Sequence, residues 1–369
     1  MKIRLFSILA MAGVLLSSCA KGELPMDGEN TWENGTANCY IVSGTGLYKF
    51  STVKGNSSES VGAVSSAEVL WESFGTDVTP SVGDLVKNVS YSDGKITFQT
   101  ADTFKEGNAV IAAKDTSGNI LWSWHIWFTD HPKGHVYFNK AGTMMDRNLG
   151  ATSATPGDVG ALGLLYQWGR KDPFLCSSSI SSDVIAKSTG TWPSTVSSDA
   201  SNGTIEYATA NPTTFITCHS GNCDWYYTGD ESTDNTRWTE SDKAKSIYDP
   251  CPAGWRVPDG GENGVWSKPL GSSSHFYGDS IYDTLYDSTN GGINLTSKLG
   301  SASTIWYPAS GCRDYNVGTL SSVGHRGHYW SASPNGYLAY SLDFVFYGFV
   351  YPSAYCCRAL GNSVRCVRE

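Results

Sequence analysis

The sequence predicts a largely β chain in two parts: an N-terminal all-β, Ig-like sandwich over residues 36–132, and a larger segment over 133–369 that mixes strands with a helix. Three observations carry this. Short apolar stretches (NCYIV, GLYKF, AEVLW, ITFQT, NAVIAAKD, ILWSWHIWF) follow one another at antiparallel-strand spacing, punctuated by the turn signals GTG, SDGK, KEGN and TSGN. After HPKG at 131–134 the texture changes: VYFNKAGTMMDRNLGA reads as strand and turn, and in DVGALGLLYQWGRKDPF the residues Leu162, Leu165 and Trp168 recur at helical spacing. The 369 residues are 40% apolar, enough to bury a sizeable core and too much for disorder.

From the N-terminus, Lys2 and Arg4 precede LFSILAMAGVLL, a run of signal-peptide length and too short to span a bilayer as a mature helix. It ends in LSSC, the lipobox pattern of bacterial lipoproteins. The expectation is a signal peptide over 1–18, a lipidated Cys19, and a polar tether over 19–35; the alternative is an ordinary secretory signal with a chance cysteine. Each acyl CH₂ buried in a membrane contributes ~0.8 kcal/mol, so the lipid alone would attach the chain. The expected location is the outer membrane of a Gram-negative bacterium, exposed at the surface. Export lets cysteines pair, and nine remain after Cys19, an odd number that leaves at least one thiol over. A formal charge of −9 without a basic run excludes nucleic acid as a partner.

In ILWSWHIWF, Leu121, Ser123 and His125 alternate with Trp122, Trp124 and Ile126, so one face is strongly aromatic and His125 reads as a satisfied structural histidine. Residues 176–245 are rich in loop-forming residues and include CHSGNC, where Cys218 and Cys223 could close a small disulfide loop; without a second pair nearby this is weak zinc evidence. YDPCPAGWRVPDG opens another ordered segment, and the last seventy or so residues read as strand and turn.

Two family resemblances rest on these stretches. NCYIV, GLYKF, AEVLWESFGT and GNAVIAAKDTSGNILWSWHIW resemble the β-sandwich modules of fimbrillin-like surface lipoproteins. DRNLGATS, LLYQWGRKDPF, DPCPAGWRVP, YPASG, YWSAS and GNSVRCV resemble the FISUMP domain over about 135–369. That family is similar to C-type-lectin-like and formylglycine-generating-enzyme-like folds, which implies an α+β domain whose first and last strands pair, and a Cys251–Cys366 disulfide. The resemblance carries neither branch's chemistry over. Calcium-binding lectins use acidic and amide ligands where this chain has WSAS, and adjacent Cys356 and Cys357 do not make the oxidase branch's reactive pair.

The C-terminal composition is unusual. Residues 1–298 contain 16 Lys, 11 Glu, 2 Gln and 5 Met; residues 299–368 contain none of the four, although five of the ten arginines fall there. Codons ending in a pyrimidine cannot encode Lys, Glu, Gln or Met, so Asn codons with randomised adenines would produce this absence. Against the family pattern, the idiosyncratic positions are Tyr337, Leu338, Tyr340, Ser341, Asp343, Val345, Phe346, Tyr347, Phe349, Tyr351, Ala354, Tyr355, Cys356, Cys357 and Leu360. Upstream, Cys312, Asp314, Tyr315, Val317, His325, Arg326 and His328 join them, so the variable region spans 312–360. Trp330, Leu342, Phe344, Pro352, Arg358, Gly361 and Asn362 read as scaffold. The pattern resembles the variable proteins of diversity-generating retroelements, and that resemblance implies a solvent-facing site for an unknown protein or glycan ligand. Tyrosine, phenylalanine and small polar residues are also the paratope recipe of antibodies.

The competing reading is that SLDFVFYGFVY is simply a core strand. HRGH at 325–328 places two histidines three apart, but in a turn and strand, so no metal or cofactor is expected. No H-E-x-x-H, G-x-S-x-G or paired-carboxylate signature is present, and no catalysis is expected. Two function alternatives stand beside the diversified binder: a structural or glycan-utilisation lipoprotein with a fixed site, and an oxidase-like enzyme with a low-pKa cysteine.

Overall fold

The β-forming stretches of the first part make two four-stranded sheets. The computed structural model describes residues 30–31, 35–218, 223–229, 235–239, 244–276, 285–300 and 305–369; the expected signal peptide and Cys19 lie outside them. One sheet runs Asn30–Thr31, Leu47–Ser51, Lys95–Thr100, Val86–Ser92, and the other Cys39–Val42, Ile120–Phe128, Gly107–Lys114, Ser66–Ser73. Phe50, Ile96 and Phe98 of the first meet Val42, Ile111, Trp122, Trp124 and Ile126 of the second in one core. Asn30–Thr31 falls inside the stretch expected as tether, yet pairs in parallel with Tyr48–Lys49. The edge of Leu47–Ser51 would otherwise leave its ladder groups unpaired, and these two residues satisfy them.

The second sheet is buried on both faces, which is why Gly107–Lys114 and Ile120–Phe128 are almost wholly inaccessible. Its inner face supplies the sandwich core. Its outer face carries Ser123, His125 and Trp127 against the C-terminal part, where Trp127, Trp71 and Val110 share a core with Met145, Leu149, Trp168 and Trp330. Lys171 and Asp172, from the RKDPF motif, reach this face: Lys171 Nζ donates to Ser123 Oγ at 2.5 Å and pairs with Asp172 Oδ1 at 2.6 Å. Both charges are buried, and the short triangle they form with Ser123 satisfies them.

His125 lies in the same face. One ring nitrogen is 2.8 Å from Asn108 Oδ1 and the other 3.5 Å from the Tyr166 hydroxyl, so the ring is bonded as the neutral form. Burial lowers its pKa to about 3. A histidine depressed in the folded state contributes stability that is complete above its unfolded pKa near 6.5 and is lost as pH falls through that value toward 3. The expected loss attributable to His125 is about 2–3 kcal/mol by pH 4.5. Buried Asp249 works oppositely: burial, against the pull of Lys245, raises it to about 6, so its stabilising protonation is lost as pH rises through 6. Comparing urea unfolding of the parent chain and His125→Gln at pH 7 and pH 4.5 isolates the histidine, and the variant should lose less stability on acidification.

The expected helix around Leu162–Trp168 is not formed. A 3₁₀ turn covers Val159–Ala161, and Leu164–Gln167 is a strand between Phe174–Leu175 and Gly361–Ser363. Gly163 and Gly169 take φ of +72° and +83°, which stop a helix on either side, while Leu162, Leu165 and Trp168 are buried by sheet packing instead. Helix is scarce throughout the described residues: Ile205–Ala210, Ser267–Leu270 and Thr296–Leu299 are α-helical, and the regular structure is mostly β-sheet. None of them is long and apolar enough to cross a membrane.

The first strand of the second part, Gly134–Tyr137, does not itself reach the last strand: Gly142–Met145 lies between it and Val367–Arg368, with Met144 opposite Val367 and Met145 N–H donating to Cys366 O at 2.9 Å. Cys251 and Cys366 are joined across 115 residues, a cross-link contributing about 5 kcal/mol in the chain-entropy model before any strain. The sequence motifs hold one another. Arg365 is buried over the Tyr307 ring and donates to Asn148 Oδ1 and Trp306 O. The indole N–H of Trp168 donates to Ser331 O and that of Trp330 to Tyr166 O, both at 2.8 Å.

Candidate ligand-binding surface

Three consecutive antiparallel strands, Arg326–Asn335, Leu338–Val345 and Phe349–Cys357, form the part of the large sheet that carries most candidate positions. Their aromatic and β-branched residues favour strand, and Gly336 (φ +58°) and Gly348 (φ +134°) serve the two turns. The register shifts where Leu342 faces two residues of the next strand, a bulge at Pro352–Ser353. Leu342 and Phe344 enter the core on one face of the strand, Tyr340 continues that face beyond the core, and Asp343 lies on the opposite face.

Cross-strand partners and the period of two place the candidates on both faces of the meander, Tyr340 with Tyr355 on one and Asp343 with Tyr351 and His328 on the other. Leu338 opposes Cys357, Tyr340 opposes Tyr355, and Asp343 opposes both Tyr351 and His328. The Tyr340 and Tyr355 rings meet edge-on at 6.4 Å, and Phe349 stacks on Tyr351 at 5.7 Å. His328 Nδ1 lies 3.1 Å from Asp343 Oδ2 in the middle of the strip. At one end Phe346 and Tyr347 form the hairpin tip beside His325, whose ring is 4.9 Å from Phe346; Arg326 is exposed next to it. Tyr337 stands at the other end. Tyr337, Phe346, Tyr347 and Tyr355 are each about half exposed or more (49–58%), an arrangement of aromatic area that a folded chain normally covers with a partner.

Several sequence candidates are covered rather than exposed. Ser341, opposite Ala354, is buried, as is Ala339 opposite Cys356. Cys356 receives a hydrogen bond from Asn362 Nδ2 at 3.4 Å, and burial pushes its thiol far up. Cys312 is buried too, its thiol pushed up to about 12. Val345 is buried where Phe346 N–H closes on His325 O, and His328 is mostly covered through its contact with Asp343. Leu360 packs beside the Trp168 core. Asp314 accepts from the N–H groups of Asn316 and Val317, so it organises a separate turn that exposes Val317 and packs Tyr315 near Trp225 and Ala359.

The seven positions read as scaffold are all buried: Trp330, Leu342, Phe344, Pro352, Arg358, Gly361 and Asn362. Two supports were not visible in the sequence. Gly260 lies so close to Ser331 that an added Cβ would fall 2.2 Å from its Oγ, and with Gly261 it brings a loop against the Tyr340 ring. Asp224 and Arg237, far from the strip in sequence, ion-pair beneath it with Arg358. Ser353, between Tyr351 and Tyr355, is a further strand residue of the surface that nothing in its residue type marked out.

Cys218 and Cys223 are free thiols here, not the small loop disulfide read from CHSGNC. The Cys218 thiol is taken up by Asn316 Oδ1 at 3.4 Å, and that of Cys223 faces Cys357. Among the described residues no three His, Cys, Asp or Glu side chains are grouped to hold a metal ion, the two histidines of HRGH included. No protein-family model, curated protein or solved structure matches this chain.

Proposed function

We propose that this chain is a lipid-anchored surface protein whose C-terminal part has a C-type-lectin-like fold and binds a protein or glycan ligand through the exposed aromatic residues of the three-stranded meander. Those residues are rewritten by adenine-directed mutagenesis of the diversity-generating retroelement kind. One observation carries the reading: of the twenty-two residues that a pyrimidine-ending codon rule marks as rewritten, seven are exposed, eleven half-buried and four buried, whereas the seven read as scaffold are buried without exception. A binding site that varies by chance draws needs this division, because random changes are tolerated at the surface and are costly in a packed core. Pairing of Gly142–Met145 with the last strand, Val367–Arg368, and the Cys251–Cys366 bridge support the fold assignment. The oxidase-like alternative asks for a thiol of lowered pKa, whereas burial raises Cys176 and Cys312 to about 12.

The test is to sequence the DNA downstream of the gene. The expected result is a near-copy of the codons for residues 312–366, beside a reverse transcriptase, that differs only where the copy has adenines. Codons for Tyr340, Tyr347 and Tyr355 should differ and those for Leu342 and Phe344 should not. Absence of any such copy would reduce the missing Lys, Glu, Gln and Met to a quirk of composition, and the diversified-binder reading would fall.

A further inference from the structure

Three thiols meet where the strand Phe349–Cys357 ends. Leu360 N–H donates to Cys357 O at 3.0 Å, turning the chain so that Ala359 N–H reaches Cys223 O at 3.1 Å. The next residue pair is joined as well, Arg358 Nη1 lying 3.4 Å from Asp224 Oδ2. Residues 223–224 and 357–359 are therefore held side by side by a backbone bond and a buried ion pair, with the thiols of Cys223 and Cys357 facing each other inside that frame. Cys218 is close by, but its thiol donates to Asn316 and its N–H to Tyr315 O. Both facing cysteines are half-buried, so a small oxidant can reach them.

We propose that Cys223 and Cys357 form a disulfide in the exported protein, a covalent tie between the end of Phe349–Cys357 and a loop outside residues 312–360. The oxidant is a low-molecular-weight or protein disulfide. The Cys223 thiolate attacks one donor sulfur and releases the first donor thiol. Cys357 then attacks the mixed disulfide at Cys223 and releases the second. The protein dithiol loses two electrons, the donor disulfide gains them, and the two thiol protons leave with the two donor thiols. Burial pushes the Cys357 thiol up, so the closing step accelerates as pH rises. The tie stands whatever the surface binds. It also has a consequence for the proposed diversification: only copies of the chain with cysteine at position 357 would be locked, and in the others Cys218 and Cys223 would be left to each other.

The full chain is incubated with oxidised glutathione at pH 8, its remaining thiols are alkylated, and the digest is mapped by mass spectrometry without reduction. The expected result is a cross-linked peptide joining Cys223 to Cys357, with Cys218 alkylated and two fewer titratable thiols per chain. Cys218→Ser should keep the cross-link and Cys357→Ser should lose it. A Cys218–Cys223 or Cys218–Cys357 bridge, or alkylation of all three residues, overturns the proposal.

Discussion

Phe344→Ala should lower folding stability by about 3–5 kcal/mol, whereas replacing Tyr337, Phe346, Tyr347 and Tyr355 together by serine should cost no more than about 1–2 kcal/mol. These five aromatics lie within nineteen residues of one another, and composition does not distinguish them. Phe344 is fully buried, stacked near Tyr329 at 6.2 Å, and its ring lies over Gly327, where an added Cβ would fall 2.2 Å away. Truncating it leaves a cavity bounded by sheet and glycine that cannot collapse without moving backbone. The four surface residues leave no such void, because about half of each side chain is already in water. Urea denaturation with matched m-values measures both. Equal losses for the two variants would mean that these four residues are core, and the binding-surface reading would then have no surface to stand on.

The same contrast shows how much the sequence disclosed. Period-two alternation with turn signals was enough for the sandwich strands, since each has one face on a local core. It did not reveal that Gly107–Lys114 and Ile120–Phe128 are covered on both sides, because the covering residues, such as Lys171, Asp172 and Tyr166, come from some fifty residues further on. The helical spacing of Leu162, Leu165 and Trp168 was real but misleading: three buried apolar residues with a glycine between them and another after them can equally be a 3₁₀ turn followed by a strand. Over residues 312–360 the codon argument groups positions by residue type, but not by which way each points. Ser341 and Cys356 satisfy the codon rule as well as Tyr340 and Tyr355 do, and only the alternation of the paired strands separates them.

Asp224→Ala should cost about 3–5 kcal/mol, the penalty of leaving buried guanidinium groups without their counter-charge. The Asp224 carboxylate accepts from Arg237 through both oxygens and from Arg358 Nη1, and all three side chains are at most 1% exposed. Both guanidiniums also sit over the Trp168 ring, at 4.8 Å for Arg237 and 4.3 Å for Arg358. The effect should extend beyond global stability, because Arg358 is what fixes the turn bearing Tyr337. Its Nε donates to Leu338 O at 3.0 Å and its Nη2 to Gly336 O at 2.7 Å. In Asp224→Ala the guanidinium seeks water or another acceptor, and amides around 336–340 should exchange with deuterium faster than those of the Phe344 region. Asp224→Asn keeps an acceptor for one arginine and should fall between the parent chain and the alanine variant. If exchange at 336–340 is unchanged while global stability drops, the ion cluster is a core element only, and the aromatic turn is held by the sheet alone.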